Sequence, residues 1–290
     1  MGVVVLIWGA NFVFVKAAIA QISPLSFAAI RFVIASLTLI PLLYWREGNL
    51  KVPKGLLWYL IGMGIVGHSL YQGVFVEGLA RTSTANSAMI LSTTPAFVAL
   101  GGALIGIETI TRRMAVGITI AMLGIVVVMM ARGASLSLHT ALGDLLTLVS
   151  ALCWVAYVLG MRTLAGRISP LRLTTLTMIA GTPGLVIASA KDLMEINLFQ
   201  LSTVVWFGLL FSAWFSILIG YSLYNRAVHR IGAVQTSIHG CVIPLVAALV
   251  AWAALGERPT VWQVIGAVLI IGGVLLTRSE DRGEEVQPAE

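Results

Sequence analysis

Charged side chains are scarce in this chain of 290 residues, where Asp, Glu, Lys and Arg together make up only 10% of the sequence. Soluble domains average about 25% charged residues, so this composition excludes a soluble fold. Apolar residues make up 59% of the chain, and its mean hydropathy is strongly positive. The sequence therefore predicts an all-α integral membrane protein that is embedded in the lipid bilayer.

Cysteine is also rare, and the two that occur, Cys153 and Cys241, lie within apolar stretches. We interpret both as small core residues rather than as disulfide partners or metal ligands. An intramembrane enzyme would need a Ser beside a His, paired aspartates or the zinc motif His-Glu-x-x-His, and the sequence contains none of these sets. No catalytic residue, cofactor or metal ion is therefore expected.

Ten apolar stretches are each long enough to cross a bilayer, which takes about 20 residues per helix. The connecting loops are short and rich in turn residues, which leaves no room for an extramembrane domain. The first stretch is longer than the apolar region of a signal peptide and lacks a basic start, so we expect no cleavage. The predicted segments 1 to 10 are 2–20, 25–45, 55–79, 84–107, 114–131, 144–165, 171–190, 204–228, 233–256 and 261–277.

The chain carries an internal copy of itself. The tetrapeptide Ile22–Leu25 recurs as Ile168–Leu171 at an offset of 146 residues, which also aligns Trp8 with Trp154. A slightly larger offset of 149 aligns the prolines within segments 4 and 9, where we expect kinks, and the glycines of segments 5 and 10. The pairs at this larger offset are Pro95 with Pro244, Glu108 with Glu257, Gly117 with Gly266 and Gly124 with Gly273.

Lys and Arg concentrate in the cytoplasmic loops of membrane proteins, and their distribution here favours cytoplasmic termini. Four then lie outside, at Arg81, Arg132, Lys191 and Arg258, against twelve inside. The net charge of +6 is a consequence of this topology, and no nucleic-acid partner is expected. The inner set is Arg46, Lys51, Lys54, Arg112, Arg113, Arg162, Arg167, Arg172, Arg226, Arg230, Arg278 and Arg282.

Five segments per half is an odd number, so the second half must be inverted relative to the first. The predicted architecture is ten transmembrane helices in two inverted five-helix repeats, 1–131 and 144–277, around a central cavity. The remaining residues, 278–290, are predicted to form a disordered cytoplasmic tail. Because one chain supplies the whole cavity, we expect a monomer to suffice for transport.

Several motifs resemble the EamA-like ten-helix exporters of the drug/metabolite transporter superfamily, over essentially the whole chain. They are Leu6–Phe12, the pair Arg31-Phe32, and the repeated endings Pro95–Gly124 and Pro244–Gly273. The resemblance is strongest to the bacterial branch that exports aromatic amino acids, and it implies a multi-pass carrier of the bacterial inner membrane. The second half has Thr177 where the first has Arg31, so that arginine is not duplicated.

Polar and aromatic side chains within membrane segments must face protein or a water-filled cavity. In segment 3, for example, His68, Tyr71, Gln72 and Phe75 share one helix face. Similar stripes in the related segments predict an aromatic, uncharged pocket for a small amphipathic solute. The predicted substrate-binding residues are Trp8, Asn11, His68, Tyr71, Gln72, Asn86, Trp154, Tyr157, Trp214, Tyr221, Gln235 and His239.

The ionisable residues within these segments allow two interpretations each. His68 and His239 could carry a coupling proton, although a neutral imidazole hydrogen-bonded to a hydroxyl or carbonyl group is the plainer interpretation. Arg31 and Lys16 could bind a substrate carboxylate. An ion pair with Glu77, or extension of Lys16 to the membrane surface, is the interpretation that we favour for these two residues.

The sequence as a whole predicts export of small molecules by alternating access, with amino acids, and aromatic ones above all, as substrates. Purines, threonine- or homoserine-like metabolites and cationic compounds are alternative substrates. The multidrug members of the same superfamily are built around a central acidic residue, which this sequence lacks. A channel is disfavoured because the sequence offers neither a ring of like charges nor a carbonyl filter. Facilitated and proton-coupled transport both remain open.

Overall fold

The computed structural model describes residues 1–106, 112–130, 138–256 and 260–277, and these ranges contain helices and loops but no β-strand. Two of the long helices, α3 and α10, run without interruption through a π-helical segment. The helices are α1 (Gly2–Ile19), α2 (Pro24–Glu47), α3 (Leu57–Arg81), α4 (Thr84–Leu91), α5 (Thr94–Leu104), α6 (Arg112–Met130), α7 (Leu138–Thr163), α8 (Pro170–Ala188), α9 (Ala190–Glu195), α10 (Thr203–Ile231), α11 (Ala233–Ile238), α12 (Ile243–Leu255) and α13 (Val261–Thr277).

Seven helical stretches of the described ranges are long and apolar enough to cross a membrane: α1, α2, α3, α7, α8, α10 and the stretch Asn86–Leu104. Three shorter apolar helices, Ala115–Gly124, His239–Leu255 and Val261–Leu276, coincide with predicted segments 5, 9 and 10. The predicted tail, 278–290, and the loop residues Arg132 and Arg258 lie outside the described residues.

Local sequence signals fix several helix ends. The Ser169 and Ser202 hydroxyl groups accept hydrogen bonds from the backbone N–H groups of Arg172 and Val205, which caps the first turns of α8 and α10. Helix α2 ends at Gly48, whose φ of 74° lies in the left-handed region that glycine adopts without strain. The chain therefore turns where the segment boundaries were predicted.

The prolines of predicted segments 4 and 9 act differently from the interior kinks that we expected. Helix α4 ends at Leu91, and Pro95 lies in the first turn of the following helix, α5. Pro244 lies likewise in the first turn of α12, after a 3₁₀ turn at His239–Val242. Proline lacks a backbone N–H group, and the first turn of a helix is where that donor is not needed. Both segments are thus broken into two helices.

The π-helical segments, Ile65–Leu70 in α3 and Phe211–Tyr221 in α10, occupy equivalent positions in the two halves of the sequence. A π-helix uses i→i+5 hydrogen bonds and is rare outside functional sites. It also holds more residues per turn than the 3.6 of an α-helix. Side chains that follow the segment are therefore turned to a different face from the one that helical periodicity predicts.

Helices α3 and α8 cross closely because both carry glycine at the crossing. A Cβ atom added at Gly64 would lie 2.5 Å from the Thr177 carbonyl oxygen, and one at Gly181 would lie 2.6 Å from the His68 Cβ. Small residues at such crossings bring backbones together, which is how helices associate where no hydrophobic effect drives them. The crossing also sets the His68 side chain beside Thr177.

Polar side chains join the helix ends at one end of the molecule. The Lys16 ammonium donates to the carbonyl oxygens of Leu79 at 2.5 Å and Thr82 at 2.6 Å, which lack helical partners at the end of α3. A cation is also favoured there by the helix dipole. The Thr82 hydroxyl in turn donates to Asp144 at 2.5 Å. Lys16 therefore caps the end of α3, and it does not pair with Glu77.

A second set of contacts joins α2 to α8 at the other end. The Glu47 carboxylate accepts hydrogen bonds from the Arg172 Nε at 2.9 Å and from the Ser169 hydroxyl at 2.5 Å. Glu47 ends α2, and Ser169 precedes α8, so these two helices run in opposite directions past each other.

The glycine crossing can be tested with two alanine substitutions in the same helix. Gly64→Ala forces a Cβ against the α8 backbone, and we expect it to lower the free energy of unfolding by about 1–3 kcal/mol. Gly62→Ala is the matched control, because a Cβ added at Gly62 would meet no atom within 4 Å. Thermal unfolding in detergent should show a lower midpoint for Gly64→Ala alone. Equal midpoints would contradict the crossing.

Candidate functional site

A cavity of about 90 Å³ lies between the helices of the two halves. Small-molecule sites typically measure about 300–1,000 Å³, so this cavity is small for a solute and has room for several waters. The lining residues are Trp8, Asn11, Phe12, Arg31, Tyr71, Gln72, Phe75, Ala88, Leu91, Ser92, Thr94, Pro95, Trp154, Ser216, Ile217, Tyr221, Tyr224, Ser237, Gly240 and Ile243.

Trp154 is the centre of an aromatic cluster on the cavity wall. Its side chain is only 6% exposed, and its ring contacts aromatic residues from α1, α3, α7 and α10 in edge-on and tilted arrangements. Such pairs are favourable at centroid separations of about 4.5–7 Å. The separations from Trp154 are 5.8 Å to Trp8, 5.1 Å to Tyr71, 5.3 Å to Tyr157, 5.2 Å to Tyr221 and 5.4 Å to Tyr224.

Trp8 is fixed against the π-helical segment of α10. Its indole Nε1 donates to the Ser216 carbonyl oxygen at 3.0 Å. The ring reaches this carbonyl because Gly220 has no side chain, and a Cβ there would lie 2.5 Å from Nε1. The indole N–H of a buried tryptophan needs such a partner. This bond holds the Trp8 ring against α10, within the aromatic cluster.

A chain of polar side chains runs from α2 through α3 to α10. The Arg31 Nη2 donates to the Gln72 side-chain oxygen at 2.5 Å, and the Gln72 amide nitrogen donates to the Tyr221 hydroxyl at 2.6 Å. The Arg31 guanidinium also lies over the Phe27 and Phe32 rings, at 5.0 and 5.9 Å from their centroids. These cation–π contacts and hydrogen bonds fix the guanidinium, which is 2% exposed, at the cavity wall.

The ion pair between Arg31 and Glu77 that the sequence favoured is not formed. The Glu77 carboxylate instead accepts from Arg81, one helical turn along α3. No carboxylate of the described residues pairs with Arg31, and the described cavity lining contains no Asp or Glu. The pocket predicted to be uncharged therefore has one cation in its wall.

His68 lies behind the wall rather than on it. The Thr177 hydroxyl donates to the Leu173 carbonyl oxygen at 2.8 Å, so it accepts from the His68 Nε2 at 3.0 Å. Tyr157 is 1% exposed, and its hydroxyl lies 3.4 Å from the same Thr177 oxygen. His68 is thus hydrogen-bonded to a hydroxyl group, as the plainer interpretation held, and Thr177 occupies the position equivalent to Arg31.

Six predicted residues come together at the cavity: Trp8, Asn11, Tyr71, Gln72, Trp154 and Tyr221. The Asn11 side-chain oxygen accepts a hydrogen bond from the Ser212 hydroxyl at 2.6 Å. The sequence did not single out Arg31 as the favoured ligand or include Tyr224 and Ser237. Tyr224 follows Tyr221 by one helical turn, so the stripe of α10 could have identified it.

The other predicted residues lie away from the lining. Asn86 is buried, and its oxygen accepts from the Gln263 amide at 2.5 Å. Trp214 is 42% exposed, because it and Tyr221 both lie in the π-helical segment, whose wider turn puts residues seven apart on different faces. His239 is exposed, in the 3₁₀ turn before α12. Gln235 belongs to α11, and its side chain lies outside the described part of the structure.

Comparison with known proteins agrees with this architecture. The model of the EamA-like transporter family matches residues 1–130 and 141–279. An uncharacterized transporter, YyaM, of Bacillus subtilis (strain 168) is 33% identical over 92% of this chain and 88% of its own length. A probable amino-acid metabolite efflux pump of Salmonella typhimurium is 24% identical over 94% of this chain and 91% of its own.

A solved crystal structure shares the fold, with a TM-score of 0.68 at 16% identity, and the match covers 95% of this chain and 93% of the other. The family model spans nearly the whole sequence in two parts, and the seven long apolar helices suit a membrane protein. On this basis the chain belongs to the EamA-like transporter family and is a multi-pass membrane transporter.

Proposed function

We propose that this transporter exports amino acids, with aromatic ones preferred, by alternating access. The observation that carries the proposal is the aromatic cluster around Trp154 on the wall of the central cavity. Aromatic rings offer a planar substrate side chain stacking and edge contacts that an aliphatic wall lacks. The relative from Salmonella typhimurium named as an amino-acid metabolite efflux pump supports the same class of substrate.

The proposed architecture is two inverted repeats, 1–131 and 144–277, each of five membrane helices. Contacts between residues at the repeat offsets support it. Ser36 and Thr182, 146 residues apart, have hydroxyl oxygens 2.9 Å from each other, and Trp8 lies against its equivalent Trp154. Gln72 donates to the residue 149 positions later. Equivalent residues of two copies meet where the symmetry axis passes, so these pairs support a pseudo-two-fold axis near the cavity.

The directions of equivalent helices support inversion. Lys16 lies near the end of α1, and it connects through Thr82 to Asp144, which lies near the start of α7. Helices α1 and α7 are equivalent in the repeat, and they therefore run in opposite directions. The contact between Glu47 and Arg172 gives the same result for α2 and α8. A two-fold axis in the membrane plane relates repeats of this kind.

Alternating access fits the compact cavity. The cavity measures about 90 Å³, which is below the typical size of a small-molecule site, and movement of the two halves apart would enlarge it for loading. The cavity wall includes both broken regions, α4 to α5 and α11 to α12, and one π-helical segment. Breaks of this type lie at the substrate sites of many carriers, where unwound backbone faces the cavity instead of lipid.

We further propose that the protein lies in the bacterial inner membrane with both termini in the cytoplasm, and that one chain suffices for transport. The excess of Lys and Arg in one set of loops supports this orientation. For coupling, the absence of Asp, Glu and His from the described lining supports facilitated export, and His68, behind the wall, is the candidate carrier if export is coupled to a proton.

The aromatic cavity predicts a difference between two tryptophan substitutions. Trp154→Ala removes the ring at the centre of the cluster, and we expect phenylalanine uptake into proteoliposomes to fall at least tenfold. A tenfold loss corresponds to about 1.4 kcal/mol of binding free energy. Trp214→Ala is the matched control because that ring is 42% exposed and lies off the cavity. Its uptake should stay within twofold of the original.

Both variants are first compared by size-exclusion chromatography, and Trp154→Phe, which keeps a ring, should recover part of the uptake. The assay is run with and without a pH gradient, so that stimulation by the gradient identifies proton coupling. Absence of saturable phenylalanine, tyrosine or tryptophan uptake by the original protein would reject the aromatic substrates.

The orientation can be tested by cysteine labelling in intact cells. Phe199, fully exposed in the loop before α10, is proposed to face outward, and exposed Lys51 is proposed to face the cytoplasm. After replacement of Cys153 and Cys241 by Ala, Phe199→Cys should react with a membrane-impermeant maleimide in whole cells. Lys51→Cys should react only after the cells are opened. The reverse pattern would contradict cytoplasmic termini.

A further inference from the structure

We infer that Arg31 binds the carboxylate of the transported solute, so that the cavity selects aromatic molecules bearing a carboxylate and does not require an amino group. This inference rests on the proposed transport function, whose substrate class it narrows. Its starting point is a buried charge without a counter-ion among the described residues.

A buried guanidinium is costly unless an opposite charge or sufficient hydrogen bonds accompany it. Arg31 is 2% exposed and donates one hydrogen bond, to the Gln72 side-chain oxygen. A guanidinium carries five N–H donors, and the Nε of Arg31 has no partner in the described part of the chain. The site therefore lacks a negative charge that a bound solute can supply.

The guanidinium is also held in position before any solute binds. Gln72 holds one end of it and is itself held by the Tyr221 hydroxyl at 2.6 Å, while the Phe27 and Phe32 rings lie against it. Arginine presents its donors in a planar fork that matches the two oxygens of a carboxylate. A fixed fork on a cavity wall binds with little loss of side-chain freedom, which favours affinity.

The rest of the lining determines what else the solute carries. Trp8, Tyr71 and Trp154 supply aromatic surface beside Arg31 in the same cavity. No Asp or Glu of the described lining is available to pair with an ammonium group. A carboxylate on an aromatic body is therefore recognised at both ends, whereas an aromatic amine would place a second cation beside Arg31.

The second half of the chain does not repeat this arrangement. Thr177 occupies the position equivalent to Arg31, and its hydroxyl is engaged by His68 and by the Leu173 carbonyl oxygen. The cavity thus has one positively charged wall within an otherwise two-fold arrangement. The solute carboxylate is expected on the α2 side, with its ring toward Trp154.

The test measures binding of three related compounds to the purified full-length protein by quenching of tryptophan fluorescence. The compounds share a phenyl ring: 3-phenylpropionate carries only a carboxylate, phenethylamine carries only an ammonium group, and L-phenylalanine carries both. The original protein should bind the two carboxylates and bind the amine at least tenfold more weakly. Arg31→Gln should weaken binding of both carboxylates about 10- to 100-fold, as for a lost hydrogen bond to a charged group, without weakening amine binding.

Ser36→Ala is the control, because Ser36 lies buried on the same helix, loses one hydrogen bond to Thr182, and does not line the cavity. Its affinities should match the original. If Arg31→Gln fails to fold, Arg31→Lys and Gln72→Leu replace it. Arg31→Lys keeps the positive charge but lacks the planar guanidinium, and Gln72→Leu removes the hydrogen bond that holds the guanidinium in place. Each should weaken carboxylate binding at least threefold, and unchanged binding in both would overturn the inference.

The outcomes separate the inference from the proposed function. Phenylalanine transport that keeps its preference for carboxylates in Arg31→Gln would overturn the role of Arg31 and leave the export of aromatic amino acids in place. Arg31-dependent binding of 3-phenylpropionate without phenylalanine transport would retain the carboxylate site and reject the amino-acid substrates. Equal binding of the amine and the acids by the original protein would overturn the inference directly.

Discussion

Within a bilayer, polar groups must find their partners inside the protein, and this constraint accounts for many polar contacts of the described helices. Many hydroxyl groups donate to carbonyl oxygens of their own helix, as Thr177 does. Lys16 is used to cap the end of α3. Arg31 is an exception, because described protein groups satisfy it only in part. Its partners among the described residues are one amide oxygen and two aromatic rings. Its incomplete environment is the basis for the solute carboxylate site that we infer.

Departures from regular helix concentrate around the cavity. The breaks before Pro95 and Pro244 and the π-helical segment of α10 contribute lining residues, whereas the regular helices α6 and α13 pack against each other through glycines and contribute none of the described lining. Irregular backbone is tolerated at membrane depth only where protein or a cavity covers it. The same irregularity lets Trp8 reach the Ser216 carbonyl oxygen. The irregular backbone segments therefore form part of the wall of the candidate site.

Much of the helical layout followed from the sequence, because apolar length and turn residues report directly on segments; predicted segment 261–277 coincides with α13. The site was predicted only in part. Periodicity placed Trp214 with Tyr221, but it assumes 3.6 residues per turn, and the π-helical segment invalidates that assumption. The sequence favoured an ion pair between Arg31 and Glu77, whereas Arg31 lines the cavity. Depth within a bundle depends on helix tilt and crossing, as at Gly64 and Gly181, which one sequence does not encode locally.

Arg31 has no counter-ion among the described residues, and if it binds the solute carboxylate as we infer, an electrical consequence follows. Bacterial cells hold a negative interior potential, and moving one elementary charge through 100 mV involves about 2.3 kcal/mol. A monoanion that neutralises Arg31 and then leaves the cell carries negative charge down this electrical gradient. Its exit would be driven by the membrane voltage alone, with no accompanying ion. A zwitterion has no net charge, so the voltage does not drive its export. The resting potential would therefore favour export of anionic solutes over zwitterionic ones that bind in the same cavity.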